Sequence, residues 1–231
     1  MKDFAGQSSS TEIKETFEKS LLKEDRYGEF TLGENTTKFF REDPKMMLFR
    51  LSRYKFVAKM FEGFNSALEI GCQEGIGAPL VEQSVGQLHC VDFYKPFINS
   101  CKRRISHPNI SFSAHDILDC GTEEKYQGVF ALDVFEHIEP EFEEKMIENM
   151  IASMEKEGTL ILGIPSLESQ QYASEASKIG HVNCKSGNDF KALLKKHFVH
   201  VYTFSMNDEV LHTGFYPMSH YLFVICNTPR N

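Results

Sequence analysis

Residues 67–75 (ALEIGCQEG) constrain this chain more than any other segment. A short apolar run stops at Gly71, and a second glycine, Gly75, stands just ahead of a helical stretch. The pattern reads as a buried strand, a tight turn and a helix start. Glycines there supply backbone conformations that other residues resist, and they let the chain approach a ligand closely. A Gly-x-x-x-Gly string alone also describes a strand-to-helix turn that binds nothing. Its weight depends on the rest of the chain.

From residue 66 onward, apolar runs alternate with helical stretches. The runs at 66–71, 87–92, 109–115, 128–132 and 159–164 are predicted strands, with helices notably at about 95–105 and 140–155. The connections are long enough for right-handed crossovers, so these strands should lie parallel and be covered on both faces. Ser186 and Asp189 form a capping box for a helix reaching His197. Two further runs, 199–204 and 220–226, come last with no helix between them, which predicts an antiparallel hairpin at the sheet edge.

Ahead of this pattern, residues 1–10 are polar and Ser-rich and are expected to fray. Residues 11–24 place Ile13, Phe17, Leu21 and Leu22 at helical spacing, whereas 25–43 lack clear periodicity. Pro44 opens a second helix to about residue 62, with Met47, Leu51, Tyr54, Val57 and Phe61 along a buried stripe. The expected organisation is a helical extension or lid over 1–60, packed on a ligand-binding domain over 61–231.

Composition narrows the partners. A net charge of -8 argues against a general nucleic-acid binder, because neutralising phosphates takes clustered Lys and Arg. The six cysteines include no CxxC pair and read as reduced thiols. No apolar stretch has signal-peptide character or transmembrane length, so a cytoplasmic protein without membrane insertion is expected.

Two carboxylates share the register of the glycine turn. Asp92 ends the second run, where it can accept the hydroxyls of a ribose lying across the strand tips. Asp116 comes after the third, within reach of an adenine amino group. Singly, each is more simply a turn residue or helix cap. Groups at three successive strand ends point together to a nucleoside-binding crevice.

Over roughly residues 45–226 the chain resembles the class I S-adenosylmethionine-dependent methyltransferases, and LEIGCQEG is similar to their first motif. The resemblance implies an α/β fold: a Rossmann-like seven-stranded sheet, mostly parallel with an antiparallel last strand, flanked by helices. It implies S-adenosyl-L-methionine as cofactor, with Glu69, Gly71, Gln73 and Gly75 around its methionine part. Asp92 and Phe93 match the ribose position, Asp116 and Ile117 the adenine contact, and Asp133 the far end of the cofactor. Gln73 departs from the family pattern, standing where a middle glycine is usual.

The segment 130–138 (FALDVFEHI) resembles the E-x-x-E-H motif of the ubiquinone-pathway O-methyltransferases and the small-RNA 2′-O-methyltransferases. That resemblance implies a divalent metal, Mg²⁺ or Mn²⁺, held by Asp133, Glu136, His137 and His181. Equally, His137 or His181 serves as a general base with Asp133 and without metal.

The expected function is methyl transfer to a hydroxyl of a small polar acceptor such as a sugar or metabolite, with an amine as the other acceptor atom. The alternative is a catalytically silent cofactor-binding partner or sensor, which Gln73 keeps open. A nicotinamide oxidoreductase fits the glycine spacing poorly. Arg53 and Tyr54 are candidates for the cofactor carboxylate, though a surface cation and a core aromatic are the simpler readings. Tyr27, Phe30, Phe39 and Phe40 read as aromatic packing of the extension, and the 205–217 connection, with His212, Phe215 and Tyr216, as a substrate contact. His115 and His220 look like ordinary strand histidines.

Overall fold

The computed structural model describes residues 10–21 and 30–230. Three helices come first: α1 (Ser10–Leu21), α2 (Glu34–Glu42) and α3 (Pro44–Met60). The chain continues through β1 (Phe64–Ile70), α4 (Ala78–Glu82), β2 (Val85–Asp92), α5 (Lys95–Arg104), β3 (Ile110–Ala114) and β4 (Tyr126–Leu132). Next come α6 (Glu143–Ala152), β5 (Met154–Pro165), α7 (Glu175–Gly180), α8 (Gly187–His197), β6 (Phe198–Asn207), β7 (Val210–His212) and β8 (Tyr221–Pro229). α1 belongs to a unit ending at Phe30; everything from Thr31 onward forms the other, including α2 and α3. The expectations for residues 1–9, for residues 22–24 at the end of the first helix and for Tyr27 lie outside the described residues.

The strands form one sheet in the order β3-β2-β1-β4-β5-β8-β6-β7. β3 through β5 run parallel, and β8 enters antiparallel between β5 and β6. Alternate residues serve opposite faces, and both faces are buried. Val129 and Ala131 of β4 join one core cluster, with Leu68, Leu160, Leu222 and α6 and α8. Phe130 and Leu132 join the other, with Ala67, Ile161, Phe223 and α3, α4 and α5.

β1 is where the topology reverses. The chain leaves it outward to β2 and β3, then returns to β4 on its other side. The crossovers therefore diverge beyond the carboxyl ends of β1 and β4, and a crevice opens there.

Three elements differ from the sequence expectation. The sheet has eight strands rather than seven, because β7 extends the edge from within the 205–217 connection, where the sequence predicts no strand. Residues 34–42, which lack clear apolar periodicity, form α2. The Ser186 cap is present: its side chain accepts the Asp189 backbone N–H at 3.2 Å, but Asp189 bonds the Ser186 hydroxyl rather than reaching its backbone.

Candidate active site

At the tip of β1 the backbone turns through alternate left-handed residues: Gly71 (φ +77°), Gln73 (φ +48°) and Gly75 (φ +71°). Gly71 is sterically obliged as well. A Cβ there would lie 2.3 Å from a Val134 methyl, so the segment after β4 can close on the turn only because no side chain intervenes. Gln73 takes the same backbone region without a glycine's freedom, a conformation that costs an ordinary residue on the order of 1 kcal/mol.

Asp92 compensates for that cost. Its buried carboxylate accepts the Gln73 backbone N–H at 2.9 Å and the Tyr94 N–H at 2.9 Å. A carboxylate has about four acceptor positions, so two backbone bonds leave capacity toward the crevice. The Asp116 carboxylate accepts the Leu118 N–H at 2.9 Å and is likewise only partly used.

These residues line one cleft of about 460 Å³, within the roughly 300–1,000 Å³ usual for ligand sites. Gly71, Gln73, Asp92, Phe93, Asp116, Ile117, Asp133 and His137 all reach it. So do Phe97, Leu118, Val134 and Ile138, which sequence reasoning does not single out, and His115, whose sequence context is that of an ordinary strand residue. Nothing in the pattern of the apolar members separates them from core.

Two expected contacts lie elsewhere. Glu69 points to the α3 face of the sheet, where the Tyr54 hydroxyl donates to it at 2.7 Å and the Cys90 thiol at 3.3 Å. Burial pushes its carboxyl up to about 7 despite those bonds. Gly75 also lies outside the cleft; a Cβ there would meet Ile105 at 2.9 Å. Tyr54 is thus a core aromatic, in line with the simpler expectation. Arg53 is no surface cation.

The Arg53 guanidinium holds both oxygens of Asp133, at 2.7 and 2.6 Å, and lies 3.8 Å over the Tyr221 ring. Asp133 adopts φ +55° to meet it. Beside this pair the Glu136 side chain is buried with both oxygens unpartnered. Burial and then the Asp133 charge push its carboxyl well above the usual range, against the pull of Arg53.

His137 and His181 stand edge to face, with ring centroids 5.1 Å apart. His137 Nδ1 bonds the Gly180 carbonyl at 2.8 Å, and His181 Nδ1 bonds the Gln170 side-chain oxygen at 2.8 Å. An oxygen acceptor at Nδ1 selects the Nδ1–H tautomer and leaves Nε2 with a free lone pair. Burial, and after it the His137 charge, lowers the His181 pKa. Glu136, His137 and His181 each bring one donor atom within 4.8 Å of the others; Asp133, the fourth member of the expected metal set, is outside that group. His212, Phe215 and Tyr216 do not line the cleft.

Sequence reasoning also misses Glu74. Its buried carboxylate accepts the Thr36 N–H at 2.7 Å, the Thr36 hydroxyl at 2.8 Å and the Asn35 N–H at 3.3 Å. It thereby caps α2, whose own N-cap is Gly33 and offers no side chain. The sequence carries no signal for this contact, because the helix it caps has no clear apolar periodicity.

Residues 67–158 match the family described as a methyltransferase domain. Over that segment the chain is similar to methyltransferase domains, and its fold is the Rossmann-like one of the class I S-adenosylmethionine-dependent methyltransferases. Its fold is similar to that of the N-methyltransferase NodS from Bradyrhizobium japonicum WM9, solved with S-adenosyl-L-homocysteine, at 20% identity and a TM-score of 0.60, covering 78% of this chain and 86% of that one. It is also similar to DhpI in its SAH complex, at 13% identity and TM-score 0.64 over 86% and 91% of the two chains. The plantazolicin methyltransferase BpumL, with a desmethyl analog and SAH, gives 13% identity and TM-score 0.61 over 84% and 90%. No curated protein matches by sequence. Among the described residues no helix is long and apolar enough to cross a membrane.

Proposed function

We propose that this domain moves a methyl group from S-adenosylmethionine to a hydroxyl of a small polar acceptor, with His137 as general base. The observation that carries the reading is the His137 ring at the cleft wall, its Nδ1 committed to Gly180. Asp92 and Phe93 would hold the ribose, Asp116 and Ile117 would border the adenine, and the Gly71–Gln73 backbone would accommodate the methionine part. When bound, the cofactor supplies an electrophilic methyl on a sulfonium, displaced in line. His137 Nε2 would take the proton that the acceptor hydroxyl gives up as it receives the methyl. A Glu136 side-chain oxygen lies 4.0 Å from His137 Nε2, within reach of the proton that this nitrogen would receive. Asp133 is committed to Arg53, so it orients rather than accepts the proton.

A divalent cation is the second reading. Glu136, His137 and His181 fit one chemically: two imidazoles oriented through Nδ1, and a carboxylate with no other partner. They would hold Mg²⁺ or Mn²⁺, which supplies polarisation of the acceptor hydroxyl.

The test is calorimetry with S-adenosylhomocysteine, and then transfer of labelled methyl from S-adenosylmethionine to a panel of hydroxylated and amine acceptors. Expected are binding, and transfer that His137→Ala reduces by about 10²-fold or more. Undiminished transfer by that variant overturns the base assignment. Binding without transfer to any acceptor favours the silent partner or sensor instead. Loss of turnover in excess chelator, restored by Mg²⁺ or Mn²⁺, selects the metal reading.

A further inference from the structure

β3 is an edge strand, and among the described residues no helix lies between it and β4. Its side chains alternate: Ile110 and Phe112 pack into the core with α5, whereas Ser111 and Ser113 take the other face. On that face a file of polar groups crosses the sheet. Ser113 Oγ lies 2.7 Å from His89 Nε2 on β2, and His89 Nδ1 lies 2.6 Å from the Tyr126 hydroxyl on β4. The Tyr126 hydroxyl in turn donates to the Glu124 carboxylate at 3.1 Å. Ser113, His89 and Tyr126 do not line the cofactor cleft.

The direction of every bond in this file follows from one proton. A phenol carries a single hydrogen, and Tyr126 gives it to Glu124. The phenol oxygen therefore accepts from His89 Nδ1–H, which leaves a lone pair on His89 Nε2 for the Ser113 hydroxyl. Burial, with Glu124 after it, raises the Tyr126 pKa and keeps the phenol protonated. Burial lowers the His89 pKa, so at neutral pH the imidazole is a free base. A hydroxyl bonded to a neutral imidazole, itself oriented from its far nitrogen, is the arrangement that makes a serine nucleophilic on unrelated folds.

We propose that Ser113 is a nucleophilic serine that takes acyl groups from activated esters, with His89 as its base. This activity is separate from methyl transfer and does not depend on the cofactor reading. Ser113 Oγ bonds to the ester carbonyl carbon as His89 Nε2 removes its proton. The carbon–oxygen bond to the leaving group then breaks, and the departing oxygen takes that proton from His89. Water, deprotonated by the same nitrogen, hydrolyses the acyl-serine and releases the acid. Both side chains are half-buried, so a short acyl group suits the site.

The experiment adds p-nitrophenyl acetate to the full chain, follows nitrophenolate by absorbance, and quenches in acid for fragment-resolved mass spectrometry. Ser111 is the internal control: it is exposed, lies on the same face, and bonds no imidazole among the described residues. Acetyl is expected on Ser113 in about tenfold or greater excess over Ser111. Ser113→Ala should abolish the initial burst of nitrophenolate. His89→Gln, which stays polar and is no base, should lose the Ser113 label, with an unchanged circular-dichroism melt showing that it is folded. Equal acetylation of Ser111 and Ser113 in wild type, or a burst that survives Ser113→Ala, overturns the proposal whatever His89→Gln does. A Ser113 label that persists in folded His89→Gln overturns the base.

Discussion

Arg53 and Asp133 lie 80 positions apart in sequence, yet one guanidinium nitrogen contacts both oxygens of the carboxylate, at 2.7 and 2.6 Å. The pair joins α3 to the tip of β4, where Asp133 borders the cleft and lies near the buried Glu136. Removing Arg53 would leave two carboxyl groups facing each other with no cation. Arg53→Ala should therefore destabilise the fold by about 2–4 kcal/mol, allowing for the partial exposure of Asp133. Urea unfolding measures this directly, and a loss below about 0.5 kcal/mol would reduce the pair to a surface ion pair in energetic terms.

Asp92 accepts the backbone N–H of Gln73 in the turn after β1 and is the proposed ribose ligand. Asp92→Ala should weaken S-adenosylhomocysteine binding by about 1.5–3 kcal/mol, the scale of hydrogen bonds to a charged group. Calorimetry reads the change; an unaltered dissociation constant would remove Asp92 from the ribose site.

Gln73 tests whether the missing middle glycine impairs the turn. Its left-handed backbone predicts that Gln73→Gly is neutral or stabilising by up to about 1 kcal/mol, while the β-branched Gln73→Val costs about 1–2 kcal/mol. Thermal melts of both variants suffice. If valine proved as stable as glycine, the turn would not depend on this conformation.

Glu69 predicts a pH dependence. Burial, the largest influence, raises its carboxyl from 4.5 to about 7 in the folded protein. The folded state keeps this proton over a range where the unfolded chain has lost it. The stability it contributes is complete below about 4.5 and declines as pH rises through about 7. Glu69→Gln cannot ionise, so its melting temperature should fall less than that of wild type between about pH 5 and pH 8. Equal declines in the two proteins would contradict this.

The cleft is legible in sequence wherever a local rule and a function coincide. Asp92, Asp116 and Gly71 sit at strand ends, and strand ends can be read from apolar runs that stop. Glu69 is misplaced by its motif because its position there is clear, but the face its side chain takes depends on sheet pairing. With a period of two, Glu69 lies on the side of Ala67 and faces α3, where Tyr54 waits. Val134 and Ile138 look like core in the sequence yet form cleft wall, and Val134 can do so because Gly71 carries no side chain.

By itself the sequence determined the alternation of strands and helices, the antiparallel run at the sheet's end and the glycine turn, since each arises from apolar spacing or backbone freedom within a few residues. The tertiary structure alone decided which charges meet. The Arg53–Asp133 pair, the Glu74 cap on α2 and the stacking of Arg50 on Phe39 involve side chains brought together from different elements, and their partners are set by how helices pack on the sheet and on each other. Local spacing carries no record of that packing, because close approach through space depends on the whole core being formed.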